Sequence, residues 1–250
     1  YYVGDITRPG CNSEYHLVDY RIAAQAPGKL SPEEAAAMPL TSITAWETLF
    51  DRLDLIPEAG ANKGKSIMII GGAGGVGSVA IQLAHWAGAE VFATASRGET
   101  VEWCKNLGAD VVLDHRNDLF DELKRTGTNA VDFIFCTTQM ETHWSAIAEC
   151  IRPQGHVVFI DDPIKTLDIT IFKRKSVNLG WEFMFTRSMF QTEDIEEQGK
   201  LLSIVAQLLD EGTLRSTRNN TIKGLSPENI QALHIEQESG SMIGKQVLVL

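Results

Sequence analysis

From residue 65 onwards the chain alternates short apolar runs with longer stretches in which apolar residues recur every three or four positions. Runs that are apolar on both faces suit buried parallel strands, because helices cover both sides of such a sheet. They predict strands over Ser66–Ile70, Glu90–Ala95, Val111–Leu113, Val131–Phe135, His156–Ile160 and Ser176–Gly180. Between them, Val79, Ala80, Leu83, Ala84 and Ala87 mark one face of a helix that stops at Gly88. A second helix, about Thr100–Leu107, stops in the same way at Gly108. A third runs from Glu193 to Glu211 and ends at Gly212, and Ser226-Pro227-Glu228 reads as the capped, acidic first turn of another. Six strands with helices between them predict an α/β protein built on a doubly wound parallel sheet. Outside this region Glu14–Ile22 alternates like a strand, Pro27-Gly28 reads as a turn, and Gln246–Leu250 reads as a terminal strand.

The first strand runs directly into Gly72-Ala73-Gly74-Gly75-Val76-Gly77 and then into the first helix. Glycines at these spacings permit a tight turn, a close approach of backbone amides to a pyrophosphate, and close packing of the helix on the sheet. The helix N-terminus then faces the anion. The strand–loop–helix context predicts a Rossmann dinucleotide site rather than an unliganded glycine-rich turn.

The end of the second strand selects between dinucleotides. NAD sites place an Asp or Glu there to hold the ribose 2′-hydroxyl. This strand ends Ala93-Thr94-Ala95-Ser96-Arg97; Glu90 lies at its other end and Glu99 beyond the turn. A hydroxyl and a guanidinium suit a 2′-phosphate, which arginine can bind through two N–H groups. The residues therefore predict NADPH. The competing reading makes Ser96 a helix cap and Arg97 a solvated surface charge.

Composition narrows the picture by exclusion. The 250 residues carry a net charge of −11, and the densest basic run is Lys173-Arg174-Lys175, which argues against a nucleic-acid partner. No apolar run reaches membrane-span length, and the opening has neither the basic start nor the apolar stretch of a signal peptide. Cys11, Cys104, Cys136 and Cys150 show no metal or disulfide spacing, so reduced thiols in a cytoplasmic protein are expected. The chain opens on Tyr1 and reads from its first residues like the interior of a domain, which predicts a preceding portion.

Gly72 to Ser78, Leu107-Gly108-Ala109-Asp110 and the closing Gly244-Lys245-Gln246-Val247-Leu248 resemble the medium-chain dehydrogenase/reductase superfamily. Pro39 to Trp46 fits the segment leading into that superfamily's cofactor domain. Trp181 to Phe190 is similar to zinc-type alcohol dehydrogenase-like proteins, relatives of the zeta-crystallin-type quinone oxidoreductases. The resemblance implies three portions: residues 1–41 as the remainder of a β-rich GroES-like catalytic domain, 42–212 as the Rossmann domain, and 213–250 as a return to the catalytic domain. It further implies that Thr44 contacts the nicotinamide side of the cofactor, and that Gly74, Gly75 and Val76 hold the pyrophosphate. Ser96 and Arg97 would take the adenosine phosphate, and His115 would pack on the adenine ribose unless it is a plain surface histidine. Cys136, Thr137, Thr138, Ile160 and Asp161 would line the nicotinamide, with a buried structural thiol the alternative role for Cys136. Phe183 and Phe185, in a Phe-Met-Phe cluster, would lie beside the nicotinamide or else join the core. A homodimer through the last sheet strand, around Asn178, is implied as well.

Zinc is not expected from the visible residues. By the resemblance, the last catalytic zinc ligand would fall near Leu40, among Pro39, Thr41 and Ser42, none a good zinc donor. The six histidines are scattered, with none paired at three or four residues. The expected activity is zinc-independent, NADPH-dependent hydride transfer to a quinone, enone or other small carbonyl substrate, with no catalytic acid assigned. The rivals are a zinc alcohol dehydrogenase with ligands in a preceding segment, and a non-catalytic NADPH-binding protein.

Overall fold

The computed structural model describes residues 1–10, 13 and 15–249. In chain order the helices are α1 (Pro32–Ala36), α2 (Pro39–Trp46), α3 (Gly75–Trp86), α4 (Gly98–Asn106), α5 (Leu119–Arg125), α6 (Met140–Cys150), α7 (Thr186–Phe190), α8 (Glu197–Asp210) and α9 (Pro227–Glu238). The strands are β1 (Ser66–Ile70), β2 (Glu90–Thr94), β3 (Val111–Leu113), β4 (Val131–Cys136), β5 (Ile151–Phe159), β6 (Asn178–Trp181), β7 (Arg218–Lys223) and β8 (Lys245–Val249). The chain divides into two compact units, Ala45–Glu182 and Tyr1–Thr44 with Phe183–Leu250. No described helix is long and apolar enough to cross a membrane.

The unit Ala45–Glu182 is an α/β domain whose sheet runs β3-β2-β1-β4-β5-β6, with every pair parallel. This is the doubly wound order, in which the strand sequence reverses between β1 and β4 and leaves a crevice at the strands' carboxyl ends. Ile67, Met68, Ile69, Val91, Ala93, Ile134 and Phe135 are fully buried, as expected of strands covered on both faces. Met68, Phe92, Ile134 and Phe159 pack with Leu123, Trp144, Ile147 and Phe172 in one core. All six predicted strands are present. β5 starts five residues earlier than predicted, because Val131 pairs with Ile151 before a register shift brings Phe133 opposite His156.

A buried ion pair closes this unit. Helix α2 runs on into a π-helical turn over Glu47–Arg52. There the Arg52 Nε lies 3.0 Å from Glu182 Oε2, and the carboxylate is wholly buried while the arginine is about one-third exposed (35%). Glu182 is also tied to the sheet through its backbone, donating its N–H to the Phe159 carbonyl at 3.0 Å.

In the other unit, α8 packs on a 3-10 turn at Tyr20–Ile22, and its Gly199 is pressed so close that a Cβ there would lie 2.5 Å from the Arg21 carbonyl oxygen. The Tyr1 hydroxyl donates to the Leu202 carbonyl. These contacts group residues 183–212 with the chain's two ends. β7 and β8 form a two-stranded parallel ribbon, and Tyr2 and Ala23 make an isolated antiparallel bridge.

The strand expected over Glu14–Ile22 is corrected by the structure, Glu14 itself lying outside the described residues together with Cys11 and Leu250. Residues 15–19 are irregular and Tyr20–Ile22 forms the 3-10 turn, whose cap is the Asp19 carboxylate accepting the Arg21 N–H. Alternation there does not mark a buried face, since Tyr15 and Leu17 are 90% and 77% exposed.

Candidate functional site

The loop after β1 is shaped by its own backbone and by two threonines. Gly71 takes φ +84°, a left-handed value open to glycine, so the sharp turn falls one residue before the glycine loop that opens at Gly72. A Cβ on Gly77 would collide with the Gly71 carbonyl oxygen and come within 2.8 Å of the Gly72 Cα, so only glycine lets α3 approach β1. Gly72 is walled in as well: a Cβ there would lie 2.9 Å from the Ala93 Cβ and 3.1 Å from the Cys104 sulfur. The Gly71 N–H donates to the Thr94 hydroxyl at 3.0 Å and the Gly72 N–H to the Thr94 carbonyl at 3.2 Å. From the other side, Thr137 donates both its N–H and its hydroxyl to the Ile70 carbonyl, at 3.1 and 2.8 Å.

α3 begins at Gly75 with Gly74 as its cap, and no side chain caps it. The N–H groups of the first turn, from Gly75 on, have no partner within the helix and carry the positive end of its dipole. The residues present therefore fit a pyrophosphate, and a side chain at position 77 would abolish the cradle.

Thr94 is a determinant the sequence reading missed; a buried threonine at a strand end gives no local signal that it binds the neighbouring loop. Thr94→Val leaves the half-buried Gly71 N–H without its threonine acceptor, a cost of about 1 kcal/mol. We expect a roughly tenfold weaker dinucleotide affinity by fluorescence titration, with Thr94→Ser close to the parent.

The remaining predicted positions fall into two groups. In the Ala45–Glu182 unit, Ser96 and Arg97 follow β2, His115 follows β3, Cys136, Thr137 and Thr138 close β4, and Ile160 and Asp161 follow β5. Because the strands are parallel, all of these lie on the edge that carries the glycine loop. Ser96 is not the cap of α4: that position is Arg97, whose N–H the Thr100 hydroxyl accepts at 3.1 Å. Arg97 is exposed and lies 3.5 Å from the Glu99 carboxylate. His115 is half-buried. The Cys136 thiol donates to the Thr138 carbonyl at 3.3 Å, and burial pushes it far above the usual thiol range. Asp161 accepts the Met140 N–H at 3.1 Å and so caps α6 from a distance.

Thr44, Phe183 and Phe185 belong to the other unit. The Thr44 hydroxyl donates to the Leu40 carbonyl at 2.9 Å and lies 3.0 Å from the Met184 sulfur. Phe183 and Phe185 stack edge to face at 5.6 Å; Phe183 is exposed and Phe185 half-buried, so neither is a fully buried core ring. Around the expected zinc position Leu40 has no donor atom, and the Thr41 hydroxyl is turned to the Met38 carbonyl. No three His, Cys, Asp or Glu side chains among the described residues are grouped to hold a metal.

A six-stranded sheet of this order, with a glycine-cradled helix N-terminus at its switch point, defines a dinucleotide-binding domain of the dehydrogenase type. The sequence profile of zinc-binding dehydrogenases matches residues 75–198. A zinc-type alcohol dehydrogenase-like protein of Staphylococcus aureus (strain MRSA252) is 41% identical over 248 residues, which are 99% of this chain and 74% of that protein. A crystal structure from Rhizobium etli CFN 42, described as a zinc-dependent alcohol dehydrogenase, superposes with a TM-score of 0.93 at 49% identity, covering 99% of this chain and 72% of that one. The 2-methylene-furan-3-one reductase of Solanum lycopersicum is 46% identical over 116 residues, 46% of this chain and 28% of that protein. The chain belongs to the zinc-type alcohol dehydrogenase-like oxidoreductases of the medium-chain dehydrogenase/reductase superfamily, whose Rossmann domain takes a nicotinamide cofactor.

Proposed function

We propose that this protein is an NADPH-dependent, zinc-independent oxidoreductase of the cytoplasm that reduces a quinone, an enone or another small carbonyl compound. The observation that carries the cofactor choice is the end of β2, where Ser96 and the exposed Arg97 stand in place of a ribose-binding acid. Gly74, Gly75 and Val76 hold the pyrophosphate on the open N–H groups of α3. His115 flanks the adenosine end. Cys136, Thr137, Thr138, Ile160 and Asp161 flank the nicotinamide end; Thr44, Phe183 and Phe185 are cofactor-contacting residues on the family resemblance alone.

When bound, the nicotinamide supplies a hydride. The chain supplies position and excludes water, and a hydrogen bond to the oxyanion that develops on the substrate would lower the barrier further. The likeness to a reductase named for a methylene-ketone supports an electron-poor double bond as the acceptor. Zinc does not fit the residues around Leu40, where no side chain is a good zinc donor; stoichiometric zinc in the purified protein would count against this reading. The free edge of β6 offers a surface for a homodimer, which light scattering after gel filtration would detect.

NADPH oxidation should be accelerated by simple quinones or enones, and silence across such a panel would remove the substrate assignment. Arg97→Ala should weaken NADPH by tenfold or more and leave NADH within about twofold, as a charge-assisted phosphate contact requires. An equal, small loss for both would sink the cofactor assignment. Tight NADPH binding with no turnover would favour a non-catalytic binding role.

A further inference from the structure

The corner beside Ser96 contains an acid that the phosphate reading must accommodate. β2 and β3 pair in parallel with Thr94 opposite Leu113, and the Ala95 N–H donates to the Leu113 carbonyl at 3.0 Å. The next residues, Ser96 on one chain segment and Asp114-His115 on the other, therefore leave the sheet side by side. Neighbouring strands lie about 4.8 Å apart. A carboxylate at position 114 thus stands one strand away from the proposed phosphate contacts, where its charge would oppose a dianion.

Asp114 does not stand there alone. Arg116 holds it with two nitrogens: Nε lies 2.9 and 3.1 Å from the two carboxylate oxygens, and Nη2 lies 2.6 Å from Oδ2. The Arg116 backbone N–H donates to the same carboxylate at 3.0 Å, so the turn and the ion pair are one unit. The guanidinium keeps the Asp114 carboxyl down at about 2, so the acid is ionised at neutral pH. Nearby, Glu99 is paired with Arg97 and Glu122 with Arg125. Asp114 is the one that the strand register sets next to Ser96.

We propose that Arg116 is a specificity-determining residue: by neutralising Asp114 it makes the β2–β3 corner acceptable to the 2′-phosphate of NADPH. The inference rests on the NADPH reading above and adds its electrostatic condition. Without Arg116 the corner would present an uncompensated carboxylate beside the cofactor's adenosine end. That is the charge an NAD site places one strand away, and it would select against the phosphate by repulsion. NADH, lacking the phosphate, would bind as before. Arg116 is 67% exposed at its side chain, so its removal does not open the core.

The test is the affinity of the full chain for NADPH and for NADH, by tryptophan-fluorescence titration, in four variants. Arg116→Met should weaken NADPH about tenfold and leave NADH within twofold, and raising the salt concentration should shrink the loss. Asp114→Asn should preserve the turn and leave NADPH binding at least as tight as in the parent. The double variant Arg116→Met with Asp114→Asn should recover NADPH affinity to within about threefold of the parent. No recovery in the double variant would overturn the proposal, since Arg116 would then act on the phosphate directly. An equal loss for both cofactors in Arg116→Met would overturn it as well. Arg97→Ala separates the two levels: if it leaves the NADPH-to-NADH ratio unchanged, the cofactor reading falls and this inference with it. If it lowers the ratio and Arg116→Met does not, only this inference falls.

Discussion

Gly77→Ala should abolish dinucleotide binding, with NADPH and NADH affinities both down at least a hundredfold, while the domain stays folded. The added methyl meets the Gly71 carbonyl oxygen and the Gly72 Cα, both backbone, so no side-chain rotamer relieves the clash. The helix must retreat from β1 or the loop must rise, and either movement takes the open N–H groups of α3 away from the pyrophosphate. Overpacking of this kind costs roughly 1–3 kcal/mol of stability. Circular dichroism should show a folded chain with a lower melting temperature, and titration should show neither cofactor bound. Retained affinity for either cofactor would mean that the pyrophosphate is held elsewhere.

Arg52→Met should destabilise the Ala45–Glu182 unit by about 3 kcal/mol in urea unfolding. Glu182 is fully buried, so deleting Arg52 removes a charge that offsets its carboxylate; breaking a buried ion pair costs up to about 3–5 kcal/mol. The lower end applies because Arg52 itself is about one-third exposed and partly screened. Arg52→Met combined with Glu182→Leu should recover most of the loss, because removing both charges also removes the desolvation penalty. A single variant as stable as the parent would show that Glu182 draws its compensation from another group.

Much of the sheet could be read from the chain because its signal is local. Ile67-Met68-Ile69-Ile70 and Phe133-Ile134-Phe135 are apolar on both faces, and glycine punctuates the helix ends at Gly88, Gly108 and Gly212. The glycine loop was legible for the same reason, since its spacing carries its function. What holds the loop was not legible. Thr94 lies 23 residues from Gly71 and Thr137 lies 67 from Ile70, and nothing in either threonine announces its partner. Asp161 likewise carries no local sign that it accepts the N–H of the first residue of α6, 21 residues away. The ion pair of Arg52 and Glu182 was missed because a charge in a turn reads as solvated until the fold buries it. Glu14–Ile22 failed in the opposite direction: alternation predicts a strand only where a sheet exists to receive it, and Asp19 offers the backbone a local hydrogen bond instead.

The threonine clamps on Ile70 and Gly71 bear on the thermodynamics of recognition. The conformation of the loop is fixed by hydrogen bonds within the protein, so its ordering is completed when the chain folds rather than when a ligand arrives. A receptor of that kind spends little of its binding free energy on rearrangement. Under the proposed function it would also treat the diphosphate as a module, with ADP, ADP-ribose and the intact dinucleotide meeting the same preset surface. Under the proposed NADPH function, discrimination among them would be left to the corners at the two ends, Ser96-Arg97 with Asp114-Arg116 on one side and the β4 and β5 loops on the other.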